Sequence, residues 1–165
     1  LPMLIYNFPA FSGVNLTTDN IREFLADDRF LGVKHTSSDF YALEQFKAGF
    51  PDKIVYNGYD EMFLAGLSMG ADGGIGSTFN FMAEKYMEIR RLFQENDMSA
   101  AQALQREVNT ILRALVEVGV MQGEKAIMEG LGFPLGQARS PFAPLSGAQK
   151  EKLLRLALPA LQTAV

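Results

Sequence analysis

Residues 1–95 repeat one pattern four times: a short apolar run, a polar or glycine-bearing turn, then a stretch with helical periodicity. The apolar runs are Met3-Leu4-Ile5-Tyr6, Leu31-Gly32-Val33-Lys34, Ile54-Val55-Tyr56-Asn57 and the glycine-rich Ala71 to Ser77, each read as a buried strand. Between them, Thr17 or Thr18 caps a helix to about Ala26, with Ile21, Phe24 and Leu25 as its apolar stripe. Ser38 and Asp39 open a second helix carrying Tyr41, Leu43 and Phe46 and ending near Gly49. Asp60 caps a third, Glu61 to Met69, which Gly70 stops, and Phe81 to about Gln94 forms the fourth. Units of roughly 25 residues alternating strand and helix predict a parallel sheet, because parallel neighbours need a crossover that a helix supplies. The expected class is α/β. Two architectures fit: half of a (β/α)8 barrel, whose whole takes about 250 residues, or an open doubly wound sheet. The first strand–helix turn, a loop from Asn7 to Gly13, lacks the glycine fingerprint of a dinucleotide site.

After residue 95 the strands stop. Ser99-Ala100-Ala101-Gln102 is a capping-box pattern opening a long helix to about Val118, and a shorter helix covers about Gln122 to Leu131. Phe133 to Pro144 holds three prolines and reads as a loop. Ser146-Gly147-Ala148-Gln149 is a second capping box, opening a last helix to about Gln162. The expected division is a strand–helix region over 1–95 and a helical extension over 96–165, packed on the same domain.

Composition excludes several function classes. The net charge is −4 and the pI about 5.0, which disfavours nucleic acid or an anionic membrane as partner. There is no cysteine, hence no disulfide, thiolate metal site or cysteine nucleophile, and one histidine, His35, is too few for a multi-histidine zinc site. No apolar run is long enough to span a bilayer. The cytoplasm is the default location, although a chain opening on Leu1 is compatible with a removed leader.

The polar residues Tyr6, Lys34, Thr36, Asp60, Glu61 and Ser77 gather where strands end and helices begin, the edge that holds the active site in both architectures. Strand alternation puts Lys34 and Thr36 on one face, opposite Leu31 and Val33. Burial penalises an ammonium, and a neutral amine condenses with a ketone to a Schiff base. A surface lysine at a strand end is the plain alternative. Tyr6 closes the first strand at the same rim, where a phenol can relay protons; equally, its ring can fill core while its hydroxyl meets water. Asp60-Glu61 suits helix capping, or recognition of a polyhydroxylated substrate through accepted hydrogen bonds. Gly73-Gly74-Ile75-Gly76-Ser77-Thr78 lacks the spacing and lysine of a phosphate loop, so its glycines point to close backbone approach, with Ser77 offering a hydroxyl. His35 faces the helices and is structural, and Glu84 to Arg91 reads as a solvated helix face with i,i+4 pairs.

Four separated motifs, Tyr6-Asn7-Phe8-Pro9, Gly32-Val33-Lys34-His35-Thr36-Ser37, Tyr56-Asn57-Gly58-Tyr59-Asp60-Glu61 and Gly73-Gly74-Ile75-Gly76-Ser77, stand in the order and spacing of the dihydrodipicolinate synthase/N-acetylneuraminate lyase superfamily. The resemblance covers essentially the whole chain and is closer to the N-acetylneuraminate lyase branch. The synthases typically carry an arginine where Phe11 stands here. The resemblance implies the second half of a (β/α)8 TIM barrel, strands five to eight with their helices, followed by a C-terminal helical extension. It implies a class I aldolase that cleaves N-acetylneuraminate to pyruvate and N-acetylmannosamine. Lys34 would form the Schiff base and Tyr6 would assist proton transfer. Thr36, Gly58, Asp60, Glu61, Gly76 and Ser77 would bind the substrate. No metal or organic cofactor is implied, and the superfamily commonly forms tetramers. Another Schiff-base lyase or dehydratase of the superfamily and a catalytically silent half-barrel are the alternative readings. The family's Gly-Ser-Thr-Gly-Glu motif, which binds the pyruvate carboxylate, is absent, as is a further relay tyrosine. Both belong to the first half of the barrel. The expectation is therefore a chain that needs a partner half-barrel, from another polypeptide or a second copy, and that turns over substrate poorly alone. A stable, well-folded monomer on size exclusion would rule out that need.

Overall fold

The computed structural model describes residues 1–162, so the last three residues of the expected extension, 163–165, fall outside the description. Four parallel strands, β1 (Met3–Asn7), β2 (Phe30–His35), β3 (Ile54–Asn57) and β4 (Gly73–Gly74), lie side by side in chain order. A strictly sequential order with right-handed crossovers places every connecting helix on the same side, as in a barrel wall. A doubly wound sheet would need a reversal of order. The α/β class and the half-barrel architecture both hold.

The described chain divides into two compact units, one of residues 1–76 with 90–97, the other of 77–89 with the chain from 98 onward. In the first, β1 to β4 alternate with α1 (Pro9–Ser12), α2 (Arg22–Leu25), α3 (Phe40–Gly49), a 3-10 turn (Asp60–Met62) and α4 (Phe63–Ser68). Strand periodicity divides the sheet. Asn7, Val33, His35, Val55 and Asn57 are buried on the helix side, where Val33 and Val55 pack with Ile21, Leu25, Leu43, Phe46 and Ala71. Leu4, Tyr6, Lys34, Ile54 and Tyr56 occupy the other face and are exposed or half-buried.

Several expected elements take a different form. Met3-Leu4-Ile5-Tyr6 is a strand, but Met3, Leu4 and Tyr6 are exposed: among the described residues β1 pairs with β2 alone. Leu31 is also exposed. The pairing skips it, passing from Met3↔Phe30 to Leu4↔Gly32, and the extra residue breaks the alternation that would bury it with Val33. The loop after β1 contains one helical turn, α1, started by Pro9 at its first position and ended by Gly13 in a left-handed conformation. The helix expected from residue 18 shrinks to α2; reciprocal bonds between Thr17 and Asn20 hold its entry, and Phe24 is exposed, edge-on to Phe30. α3 starts where expected, with Asp39 Oδ1 accepting from Ala42 N at 3.0 Å, but Tyr41 points to solvent. Asp60 opens a 3-10 turn that precedes α4, and neither Tyr59 before that turn nor Met62 before α4 makes a side-chain cap. β4 has two residues instead of seven, although Asp72 N bonds Val55 O and Ile75 N bonds Asn57 O beyond its ends.

In the second unit the long helices α6 (Met98–Val118), α7 (Val120–Gly130) and α8 (Gly147–Gln162) pack on one another. The a/d-like spacing of Ala101, Gln105, Val108, Ile111 and Leu115 supplies the buried stripe of α6. α6 begins at Met98, so Ser99 sits within its first turn and its capping box is not used. The box before α8 is: Ser146 N and Oγ both donate to Gln149 Oε1, and Gln149 N donates to Ser146 Oγ. α5 (Phe79–Gln94) begins two residues earlier than expected and departs from helical geometry at Met82. Its Arg91–Glu95 pair is an i,i+4 contact of the kind expected, whereas Lys85 is buried and reaches Glu107 at 3.5 Å. Among the described residues no helix is long and apolar enough to cross a membrane.

His35 fits its structural assignment. Its Nε2 faces the Asp39 carbonyl at 3.0 Å, which only accepts, so Nε2 carries the proton and Nδ1 accepts from Asn7 Nδ2 at 2.9 Å. Burial holds the imidazole below its usual range, outweighing the Asp39 carbonyl and carboxylate that favour the cation. A depressed folded value means the unfolded chain takes up the proton first. Stability is therefore full above about pH 6.5 and falls as pH drops below it. Thermal unfolding followed from about pH 7 to about pH 5 should show that fall, and His35→Gln should flatten it. Phe46→Ala, emptying the centre of the helix-side core, should cost about 3–5 kcal/mol in denaturant unfolding.

Candidate functional site

Parallel register builds one row across the C-terminal edge of the open face: Tyr6 pairs with Lys34, Lys34 with Tyr56, and Tyr56 with Gly73. Lys34, half-buried, places its Nζ 4.4 Å from the centroid of the Tyr6 ring, a cation–π contact. Tyr6 is 55% exposed. Phe8 lies 5.7 Å from Tyr6, and Phe11 and Tyr59 lie 4.6 and 6.2 Å from Phe8, forming an aromatic wall on the loops after β1 and β3. Sequence reading passed over Tyr56 and this wall. The signal was present in aromatic residues at or just beyond strand ends.

The remaining predicted residues take three kinds of position. Thr36, just past β2, is buried, and its Oγ1 has no hydrogen-bond partner among the described residues. It is covered by Gly58, where a Cβ would collide with that oxygen. Asp60 is likewise buried and is covered by Gly76, where a Cβ would collide with the carboxylate. Each polar side chain is thus matched to a glycine one strand along. Glu61 is exposed on the turn after β3. Ser77 belongs to the second unit, where its hydroxyl donates to Glu124 at 2.5 Å. Gly74 closes the sheet level formed by Asn7, His35 and Asn57, whose side chains lie on the helix side one step beyond the Tyr6–Lys34–Tyr56 row. Asn57 Nδ2 donates to Tyr59 O at 2.6 Å and holds the turn that carries Gly58, Asp60 and Glu61.

An amine seated against a phenol can supply a nucleophile with a proton relay beside it. Among the described residues no group of three or more His, Asp or Glu is arranged to hold a metal ion.

Comparison with known proteins places the chain in a family. The dihydrodipicolinate synthetase family matches residues 1–159. The N-acetylneuraminate lyase of Rhizobium meliloti (strain 1021) is 41% identical over 161 residues, covering 98% of this chain and 54% of its own. A Clostridium difficile protein solved in complex with mannosamine superposes with a TM-score of 0.92 at 30% identity, over 96% of this chain and 55% of its own. A Ruminococcus gnavus sialic acid aldolase, solved as a catalytic lysine mutant, superposes with a TM-score of 0.89 at 28% identity, over 96% of this chain and 54% of its own. The chain spans about half the length of the curated relatives it matches. The match over residues 1–159 and this shared sequence make it a member of the dihydrodipicolinate synthetase family.

Proposed function

We propose that the protein carrying this chain is a class I aldolase that cleaves N-acetylneuraminate to pyruvate and N-acetylmannosamine. The observation that carries the reading is the Lys34 amine lodged against the Tyr6 ring at the C-terminal rim of a parallel sheet. Identity of 41–43% to N-acetylneuraminate lyases over nearly the whole chain supports the substrate. So do solved relatives in complex with mannosamine and with pyruvate.

In this mechanism Lys34 Nζ attacks the C2 ketone of the open-chain sugar acid. The carbinolamine loses its hydroxyl as water, with Tyr6 delivering the proton that the leaving oxygen needs and the substrate carboxylate assisting. The resulting iminium draws the C3–C4 bonding pair to nitrogen. As that bond breaks, the C4 hydroxyl gives its proton to the Tyr6 phenolate left by the dehydration, N-acetylmannosamine leaves as the aldehyde, and an enamine of pyruvate remains on Lys34. Tyr6 then protonates C3, and water hydrolyses the iminium to release pyruvate and the free amine, the proton set free returning to the Tyr6 phenolate. The iminium is itself the electron sink, so no metal or organic cofactor is needed. Thr36, Gly58, Asp60, Glu61, Gly76 and Ser77 bind the polyhydroxyl chain. The buried carboxylate of Asp60 and the unpaired hydroxyl of Thr36 suit hydroxyl recognition. A matching half-barrel covers the open face and brings the group that binds the substrate carboxylate. Residues 1–95 act as the lysine-bearing half-barrel and 96–165 as its helical extension. The assembly is a cytoplasmic homo-oligomer, tetrameric as is common in the family.

Borohydride reduction of the intact protein with pyruvate tests the core of this reading. It should add the mass of a reduced pyruvate adduct at Lys34, and Lys34→Ala should add none; an unmodified Lys34 would favour a silent half-barrel. Tyr6→Phe should lower kcat by about 10²–10⁴ while leaving KM nearly unchanged. Gly76→Ala, which pushes the Asp60 carboxylate aside, should raise KM for N-acetylmannosamine in the condensation direction by about ten-fold while the pyruvate adduct still forms.

A further inference from the structure

We propose that Asn7 and His35 are positioning residues that hold the Tyr6 phenol against the Lys34 amine, an inference that rests on the Schiff-base reading above. Each is the next residue in the chain after one of the two reacting groups, and each points to the opposite side of the sheet. Asn7 faces His35 in register, as Tyr6 faces Lys34.

β2, the strand that carries Lys34, pairs with β1 through the level of Tyr6. The position of Tyr6 relative to Lys34 is therefore set by what ties β1 to β2 at that level. On the helix side Asn7 and His35 are each only 2% exposed, and Asn7 Nδ2 donates to His35 Nδ1 at 2.9 Å. That acceptor exists because His35 Nε2 spends its proton on the Asp39 carbonyl, which fixes the tautomer. Asp39 is in turn the N-cap of α3, its carboxylate accepting from Ala42 N. The main chain adds a second tie, Thr36 N to Asn7 O at 2.8 Å. The clamp thus runs from the helix, through the imidazole, to β1. A one-residue slip of β1 would send Tyr6 to the far face, and a displacement of about an ångström is enough to lose about a hundred-fold in rate.

A clamp that acts through Tyr6 predicts a particular pattern of non-additivity, one that a general loss of stability does not produce. In the intact protein, Asn7→Leu and His35→Leu are made alone and with Tyr6→Phe. kcat for N-acetylneuraminate cleavage is normalised to the Lys34 sites that borohydride traps with pyruvate, so misfolded molecules are not counted. Each substitution should lower kcat per trapped site about ten-fold when Tyr6 is present, and less than about two-fold in the Tyr6→Phe background. KM should shift less than about two-fold in either background. Asn7→Ser, which shortens the side chain without adding apolar bulk, should behave as Asn7→Leu does. An equal loss in both backgrounds, or a fall in trapped sites with kcat per site unchanged, overturns the clamp and leaves the Lys34 assignment standing. Failure to trap any adduct in the unsubstituted protein overturns the Schiff-base reading and the clamp with it.

Discussion

Parallel pairing in register is the constraint from which the rest of this structure follows. It sets Tyr6, Lys34 and Tyr56 level with one another on one face and Asn7, His35 and Asn57 one step further on the other. Four strands laid down in chain order bring every strand end to one edge of the sheet, so the loops that follow inherit a common rim. Nothing about Lys34 on its own distinguishes it from other lysines. Its neighbours across the ladder do, and those neighbours are chosen by hydrogen bonds between backbones rather than by side-chain chemistry.

The two faces of the sheet divide the labour. The helix side is packed with Val33, Val55, Leu43 and Phe46, and the polar groups that penetrate it are tied down: His35 to Asn7 and Asp39, Asn57 to Tyr59. Low exposure makes these bonds worth more than they would be at a surface and makes any loss of a partner costly. The side opposite the helices carries Tyr6, Lys34 and Tyr56, exposed or half-buried. A rigid back and an accessible front on one sheet is how an amine can be both held and available.

Much of this was legible before any coordinates. The alternation of β-type and helix-type runs fixed the class, β3 was bounded correctly, and His35 was rightly assigned to the helix side, because periodicity and local capping are properties of adjacent residues. The misses share a cause. Leu31, Phe24 and Tyr41 are apolar residues that sequence pattern placed inward, yet each is exposed, and whether a face has something packed on it is decided by residues far away in the chain. The bulge at Leu31 is a relation between two strands and has no signature within either. Asp60 marks a helix start in the sequence, whereas the 3-10 turn it opens and its pairing with Gly76 belong to tertiary structure. The Tyr6–Lys34 juxtaposition was inferred from motif spacing, but the Asn7–His35 bond behind it needed the register.

The match between Gly76 and Asp60 has a bearing on how such proteins diverge. A hydrogen in place of a side chain at 76 is what leaves room for the carboxylate at 60. Drift at one position is therefore tolerated only with compensating drift at the other: a lineage that shortens residue 60 frees 76 to grow, and one that keeps the aspartate does not. Relatives should change these two positions as a unit, so a directed-evolution library that randomises either alone will consist mostly of dead ends.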